Sequence, residues 1–237
     1  MTRFLWPRET EGLTFNGVSN TSRYMSNVYI GVAGRRAFRE EEPEYALLHI
    51  AHQIAWNRAC VVDYGYVSLE EPESDTQAYD SNFDYDDSSI GEILGALEII
   101  EEHRFPGFTV VAARNTRAAG EANYPIDRRG NERPSWLRKV PDIPGWYAGV
   151  GIGEGYSEPY KNIRVADITA AQTIALEKNL FIRGFTYDYT PGGKAGREKL
   201  TDGNILLSKA ELKGFYILDR WAEPDGSCYY SLGIARK

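Results

Sequence analysis

His49 and His52 stand three residues apart, a spacing that can turn two imidazoles toward one metal ion when the segment is helical, with Glu40, Glu41 and Glu42 close by in sequence. The competing reading is two partly exposed helix side chains, because no third ligand is specified. A second oxygen-rich run, Asp80-Ser-Asn82-Phe-Asp84-Tyr-Asp86, imitates the start of a calcium loop. Tyr85 stands where the sharp turn needs glycine, and Gly91 occupies the twelfth position in place of a bidentate Glu. The default for this run is a solvated acidic loop. His49, His52, Asp80, Asn82, Asp84 and Asp86 are therefore weak metal candidates, and no cofactor is expected.

Other chemistry is poorly supported. Gly149-Val-Gly-Ile-Gly-Glu-Gly155 invites a phosphate-loop reading but has neither the Gly-x-Gly-x-x-Gly spacing nor a closing Lys-Ser/Thr. There is no Gly-x-Ser-x-Gly elbow, and neither Cys60 nor Cys228 has a histidine close in sequence to form a nucleophile pair. Glu101 and Glu102 belong to a charged stretch better suited to facing water. No catalytic residue is expected, and the chain reads as a non-enzyme.

The elements that must position these residues recur. Residues 29–66 are echoed by residues 147–186: an aromatic-x-Gly-Val strand opening leads into an Ala-rich amphipathic run ending in Ile54-Ala55 or Ile174-Ala175. Phe108–Arg114 is echoed by Tyr230–Arg236. In this alignment Thr169 and Gln172 take the places of His49 and His52, so the possible ligands are not part of what repeats. Glu44–Ala55 and Asn162–Glu177 are predicted as helices, each carrying one apolar face. Further helices are predicted over Ile90–Glu102 and at Asn204–Lys213, and strands Gly214–Ala222 and Tyr229–Arg236 form a closing hairpin across Glu223-Pro-Asp-Gly-Ser.

The expected fold class is therefore α+β: two tandem β-α-β-α-β-β units, each a mainly antiparallel sheet with helices on one face. The first unit occupies residues 1–118 with an irregular lead-in, the second residues 146–237. Residues 119–145 link them. Between Glu70 and Asp87 there are eight acids and no base, which predicts a solvated loop; Pro191–Gly196 is its glycine-rich counterpart.

With 237 residues, two cysteines and a net charge of −7, the chain is neither a disulfide scaffold nor a plausible nucleic-acid binder, since phosphate recognition needs concentrated positive charge. Sixteen Tyr and five Trp among strand-like segments point to a sheet-rich core. Trp136, Trp146, Tyr147, Tyr156 and Tyr160 cluster around the start of the second unit and are candidate interface residues; the alternative is packing of the linker on its own domain. The acidic 70–87 and basic 114–139 segments have opposite signs and could meet within or between chains.

Pro134-Ser-Trp136, Pro144-Gly-Trp-Tyr-Ala-Gly-Val-Gly151, the helix with Ala166, Ala170, Ala171 and Ala175, and the hairpin with Trp221, Gly226 and Tyr229-Tyr230 together resemble the Lpp-twenty lipoprotein family. The resemblance covers residues 134–237 directly and 28–114 only through the internal echo. It implies small bacterial envelope lipoproteins with flagellar basal-disk and ring relatives, which act by assembly. Partners would be other envelope proteins or further copies of the chain. The expected location is the periplasm or outer membrane, with a membrane reached only through a lipid anchor. MTRFLWPRETEG contains no apolar leader or lipid-accepting cysteine, so this expectation requires a leader that has been removed; the cytoplasm is the alternative location. A small-ligand or metal-binding module of the periplasm is the alternative function.

Overall fold

The computed structural model describes residues 15–19, 27–71, 74–118, 132–179, 181–189 and 199–237. After a short helix α1 (Phe15–Val18), strand β1 (Val28–Gly34) leads to helix α2 (Glu42–Arg58), which starts with Pro43 and acids in its first turn and ends near Arg58. Pro fits a first turn that has no N–H partner to lose, and the charges complement the helix dipole. Strands β2 (Cys60–Glu71) and β3 (Ser74–Tyr85), the short helix α3 (Ile90–Leu94), and strands β4 (Leu97–Phe105) and β5 (Phe108–Asn115) follow. The second half runs β6 (Trp146–Gly153), α4 (Pro159–Lys178), β7 (Phe181–Tyr189), β8 (Lys199–Leu212), β9 (Tyr216–Ala222) and β10 (Tyr229–Arg236). Among the described residues no helix is long and apolar enough to cross a membrane.

The strands form three antiparallel sheets, ordered β1-β5-β4, β6-β10-β9 and β3-β2-β8-β7. Helix α2 lies on β1 and β5, and α4 lies on β6 and β10. The third sheet combines strands from both halves through the β2–β8 pair, where Asp63 faces Lys209 and the side chains approach to 3.4 Å. The cores are also shared. Tyr29, Ile50 and Val111 pack in one cluster with Trp136, Leu218 and Leu232, while Trp56 and Val62 pack with Ile174, Leu212 and Phe215.

Several sequence expectations are corrected. The helix expected over Ile90–Glu102 stops at Leu94; Gly95 and Ala96 turn the chain, and Leu97–Phe105 becomes a strand against β5, with a bulge near Ile99 and Glu101 that blurs its alternation. The helix expected at Asn204–Lys213 is part of β8. The acidic segment 70–87 is largely strand: β2 extends through Glu71 and β3 covers Ser74–Tyr85. Each half thus has a hairpin after its long helix, whose returning strand stands in the first half where a solvated loop was expected and in the second where a second helix was expected. The glycine-rich Pro191–Gly196 lies outside the described residues. Within 119–145, Trp136 is buried in the first core cluster.

Candidate functional site: a buried polar junction between the halves

Glycines set the distance between helix and strand. A Cβ at Gly149 would lie 2.8 Å from the Ala170 carbonyl oxygen, while one at Gly151 or Gly153 would collide with the carbonyls of Ala166 and Asn162. These three alternate residues of β6 therefore let α4 lie directly on the strand, which is the use this structure makes of the glycine run once compared with a phosphate loop. Gly31 serves β1 the same way, against Ala46 and Ile50 of α2. So close an approach brings polar side chains on the inner helix faces within reach of each other.

Asp167 of α4 is fully buried and receives two hydrogen bonds from Arg220 of β9, Nε to Oδ1 at 2.8 Å and Nη2 to Oδ2 at 2.7 Å. This is the bidentate geometry for which a guanidinium is pre-organised. Ser231 of β10 donates its hydroxyl to the same carboxylate at 2.6 Å. The first half supplies His49 and Gln53 from α2. Gln53 accepts from Arg220 Nη2 at 3.1 Å and donates to the Ile30 carbonyl at 2.9 Å, and His49 Nε2 lies 3.5 Å from Asp167 Oδ2. Because the Val32 N–H donates to His49 Nδ1 at 3.1 Å, the imidazole proton sits on Nε2, facing the carboxylate. Ser19, just past α1, donates to the Arg220 carbonyl at 2.5 Å.

Burial pushes the His49 pKa down to about 4, opposed only in part by Asp167. The ring is neutral at pH 7. Burial also works against the charge on Asp167, but Arg220 and the hydrogen bonds from its neighbours outweigh it and hold the carboxyl well below the usual range. The pair is thus a buried Arg⁺–Asp⁻ couple with a neutral imidazole beside it.

Ser, Asp and His meet here in an order that does not activate a nucleophile. The Ser231 proton is directed to Asp167, not to His49, and every member is almost completely buried. The arrangement neutralises charge and joins four elements. The Cys60 thiol, pushed by burial up to about 12, is likewise held in its unreactive form.

His49 and His52 diverge. While His49 faces Asp167, the His52 Nδ1 is 2.8 Å from the Tyr85 hydroxyl. The two rings share no ligand position, which corrects the paired-ligand geometry. Glu42 is engaged elsewhere, accepting from Thr109 Oγ1 at 2.5 Å and from the Arg36 N–H. Asp80, Asn82 and Asp84 occupy alternate positions of β3, with Asn82 and Asp84 exposed, and Asp86 Oδ1 accepts from the Ser88 N–H. The calcium-loop geometry is corrected too, because the backbone is extended and paired to β2 where the loop would have to turn. Among the described residues, no three His, Cys, Asp or Glu side chains are grouped to hold a metal.

The aromatic set also divides. Trp136 is buried and donates Nε1–H to Asp219 Oδ2 at 2.8 Å; Trp146 and Tyr147 are half-buried beneath Arg236 and Lys237. Tyr160 packs where a Cβ on Gly34 would run into its ring, and Tyr156 is 52% exposed.

Asp167, Arg220 and Ser231 were not singled out from sequence. A signal existed: Asp167 lies one turn from both Ile163 and Ala171 on the apolar face of its helix, and Arg220 interrupts a fully buried strand. Nothing in the sequence pairs them. Searches of protein-family models, of curated proteins and of solved structures each find no match to this chain.

Proposed function

We propose that this chain is a non-enzymatic assembly protein built from two tandem copies of one α+β unit, acting in the bacterial cell envelope, with a flagellum-associated role among the options. The observation that carries the reading is the pairing of a sealed, charge-balanced junction with a four-stranded sheet drawn from both halves. The residue types able to do chemistry are used to hold the halves together, whereas the hairpins offer backbone for pairing.

The duplication is supported by shared construction. In each three-stranded sheet the half's first strand pairs with its last, and the last with the one before it. In each half, glycine on the opening strand seats the long helix, and a hairpin follows that helix. The contacts also revise the alignment. Gly31 meets Ala46 and Ile50, while Gly149 meets Ala170 and Ile174, so the helices correspond one turn away from the Ile54-Ala55 and Ile174-Ala175 echo. The counterpart of His49 is then Thr173, whose hydroxyl donates to the Val150 carbonyl at 3.1 Å just as His49 accepts from the Val32 N–H.

The envelope location rests on the resemblance of residues 134–237 to the Lpp-twenty lipoproteins. Crosslinking in intact cells, followed by fractionation and native pull-down, tests the reading. Specific crosslinked species in the envelope fraction are expected, and recovery of monomer alone would overturn the assembly role.

A further inference from the structure

The third sheet is joined unlike with unlike. Each half contributes a hairpin whose first strand follows the long helix, β2 after α2 and β7 after α4, and whose second strand returns, β3 and β8. At the joint, helix-following β2 pairs with returning β8 over eleven residue pairs, from Cys60↔Leu212 to Glu70↔Asp202. The order β3-β2-β8-β7 leaves outside one returning strand, β3, and one helix-following strand, β7. Among the described residues neither outer edge is paired. The two edges of this sheet are therefore the same two kinds of strand that form its central joint.

A heterologous contact of this sort does not use itself up. When the two surfaces differ, each new subunit buries one and presents the other, so the contact generates rings or filaments. Strand direction permits it: neighbours alternate throughout the sheet, so β7 beside the β3 of another copy is again antiparallel. Neither β3 (SDTQAYDSNFDY) nor β7 (FIRGFTYDY) contains proline or lysine, and with 12 and 9 residues each exceeds the ~5–6 residues common for a strand. Charge selects between pairings. β3 carries Asp75, Asp80 and Asp84 and no base, so two β3 edges repel, while β7 carries one base and one acid, Arg183 and Asp188, and offers the acidic strand a net-neutral neighbour. Inside the chain the joint already has an acid–base contact, Asp63 with Lys209.

Resting on the assembly reading above, we propose that a second copy of this chain adds its β3 edge to the β7 edge of the first, repeating the β2–β8 joint between molecules. The sheet then continues from chain to chain, with net-neutral β7 beside the acidic β3 of the neighbour.

Sedimentation velocity of the full chain over a concentration series tests this. Growth past the dimer is expected; a chain that stays monomeric throughout overturns the proposal. Direction is read by blocking one edge at a time. Successive N–H groups of an edge strand point alternately inward and outward, so of two adjacent prolines one removes only an outward donor. Asp80→Pro and Ser81→Pro are compared on β3, Gly184→Pro and Phe185→Pro on β7, and the variant at each edge that keeps the wild-type circular dichroism is used. If neither does, Ala78→Lys or Thr186→Lys replaces it.

Each blocked variant alone is expected to be monomeric, and a mixture of the β3-blocked and β7-blocked proteins to give a one-to-one dimer and stop there. A dimer that persists within either single variant means like edges pair, which overturns the proposal. Monomeric purified protein together with crosslinks to other proteins in cells sinks the edge pairing and leaves the assembly reading standing. Monomer in both experiments sinks both.

Discussion

The contacts of α2 on β1 and of α4 on β6 begin alike and end differently. In both, glycine on the strand admits the helix backbone, and one helix side chain, His49 or Thr173, hydrogen-bonds the strand backbone at Val32 or Val150. Thr173 uses its bond locally. His49 turns its second nitrogen outward, and with Gln53 meets Asp167 and Arg220 of the other half. The two contacts therefore carry different tasks: α4 contributes the buried charge, and α2 the neutral groups that surround it. The lesson is that the halves are held together by something they do not share.

Removing that charge should separate the two tasks most sharply. Asp167→Asn keeps the shape but leaves Arg220 buried without its counter-ion, and an expected loss of about 3–5 kcal/mol should appear in urea denaturation. A double variant with apolar residues, Asp167→Leu with Arg220→Met, should recover most of it if the couple serves joining and nothing else. Failure to recover would point to a further use of the charge.

The histidine comes next. Its folded pKa is about 4 against 6.5 in the unfolded chain, so between these values the unfolded chain binds the proton more readily. The sign follows: stability from the neutral ring is fully present above about pH 6.5 and is lost as pH falls toward 4, on the order of 3 kcal/mol in total. Burial lowers the pKa of His52 as well, so the contribution of His49 is read as the difference between wild type and His49→Gln across that range. A pH slope unchanged by the substitution would contradict the burial of a neutral ring. Thr173 has no such titration, which makes this the experiment that best tells the two helix contacts apart.

Two smaller effects probe what is common. Gly151→Ala should destabilise by about 1–3 kcal/mol through overpacking against the Ala166 carbonyl, and Gly31→Ala by a similar amount against Ala46. Unequal losses in thermal melts would show that one seat yields more easily. Thr173→Val should cost about 1 kcal/mol, the net value of one hydrogen bond.

Much of this framework was legible. The aromatic-x-Gly-Val openings of β1 and β6, the Ala-faced helices and the closing hairpin all stand where periodicity and turn residues put them. The failures have identifiable causes. Eight acids between Glu70 and Asp87 suggested a solvated loop, yet Asn82 and Asp84 alternate with Phe83 and Tyr85, and the latter pair packs on Trp56. That period of two was the overlooked signal. Over Ile90–Glu102 the helical spacing runs on through Leu97 and Ile100, but the helix itself ends at Leu94, and Gly95 marks the change.

What the amino-acid sequence determined by itself is local: which segments present one apolar face, where the chain turns, and where small residues allow close approach. These depend on neighbours within a few positions. The β2–β8 joint and the meeting of His49, Asp167 and Arg220 were decided only by the tertiary structure. Their partners lie far apart in the chain, and any one alone reads as an ordinary polar or strand-forming residue. Burial supplies the reason they matter, since a charge removed from water must find its counter-ion and a strand edge must find another strand.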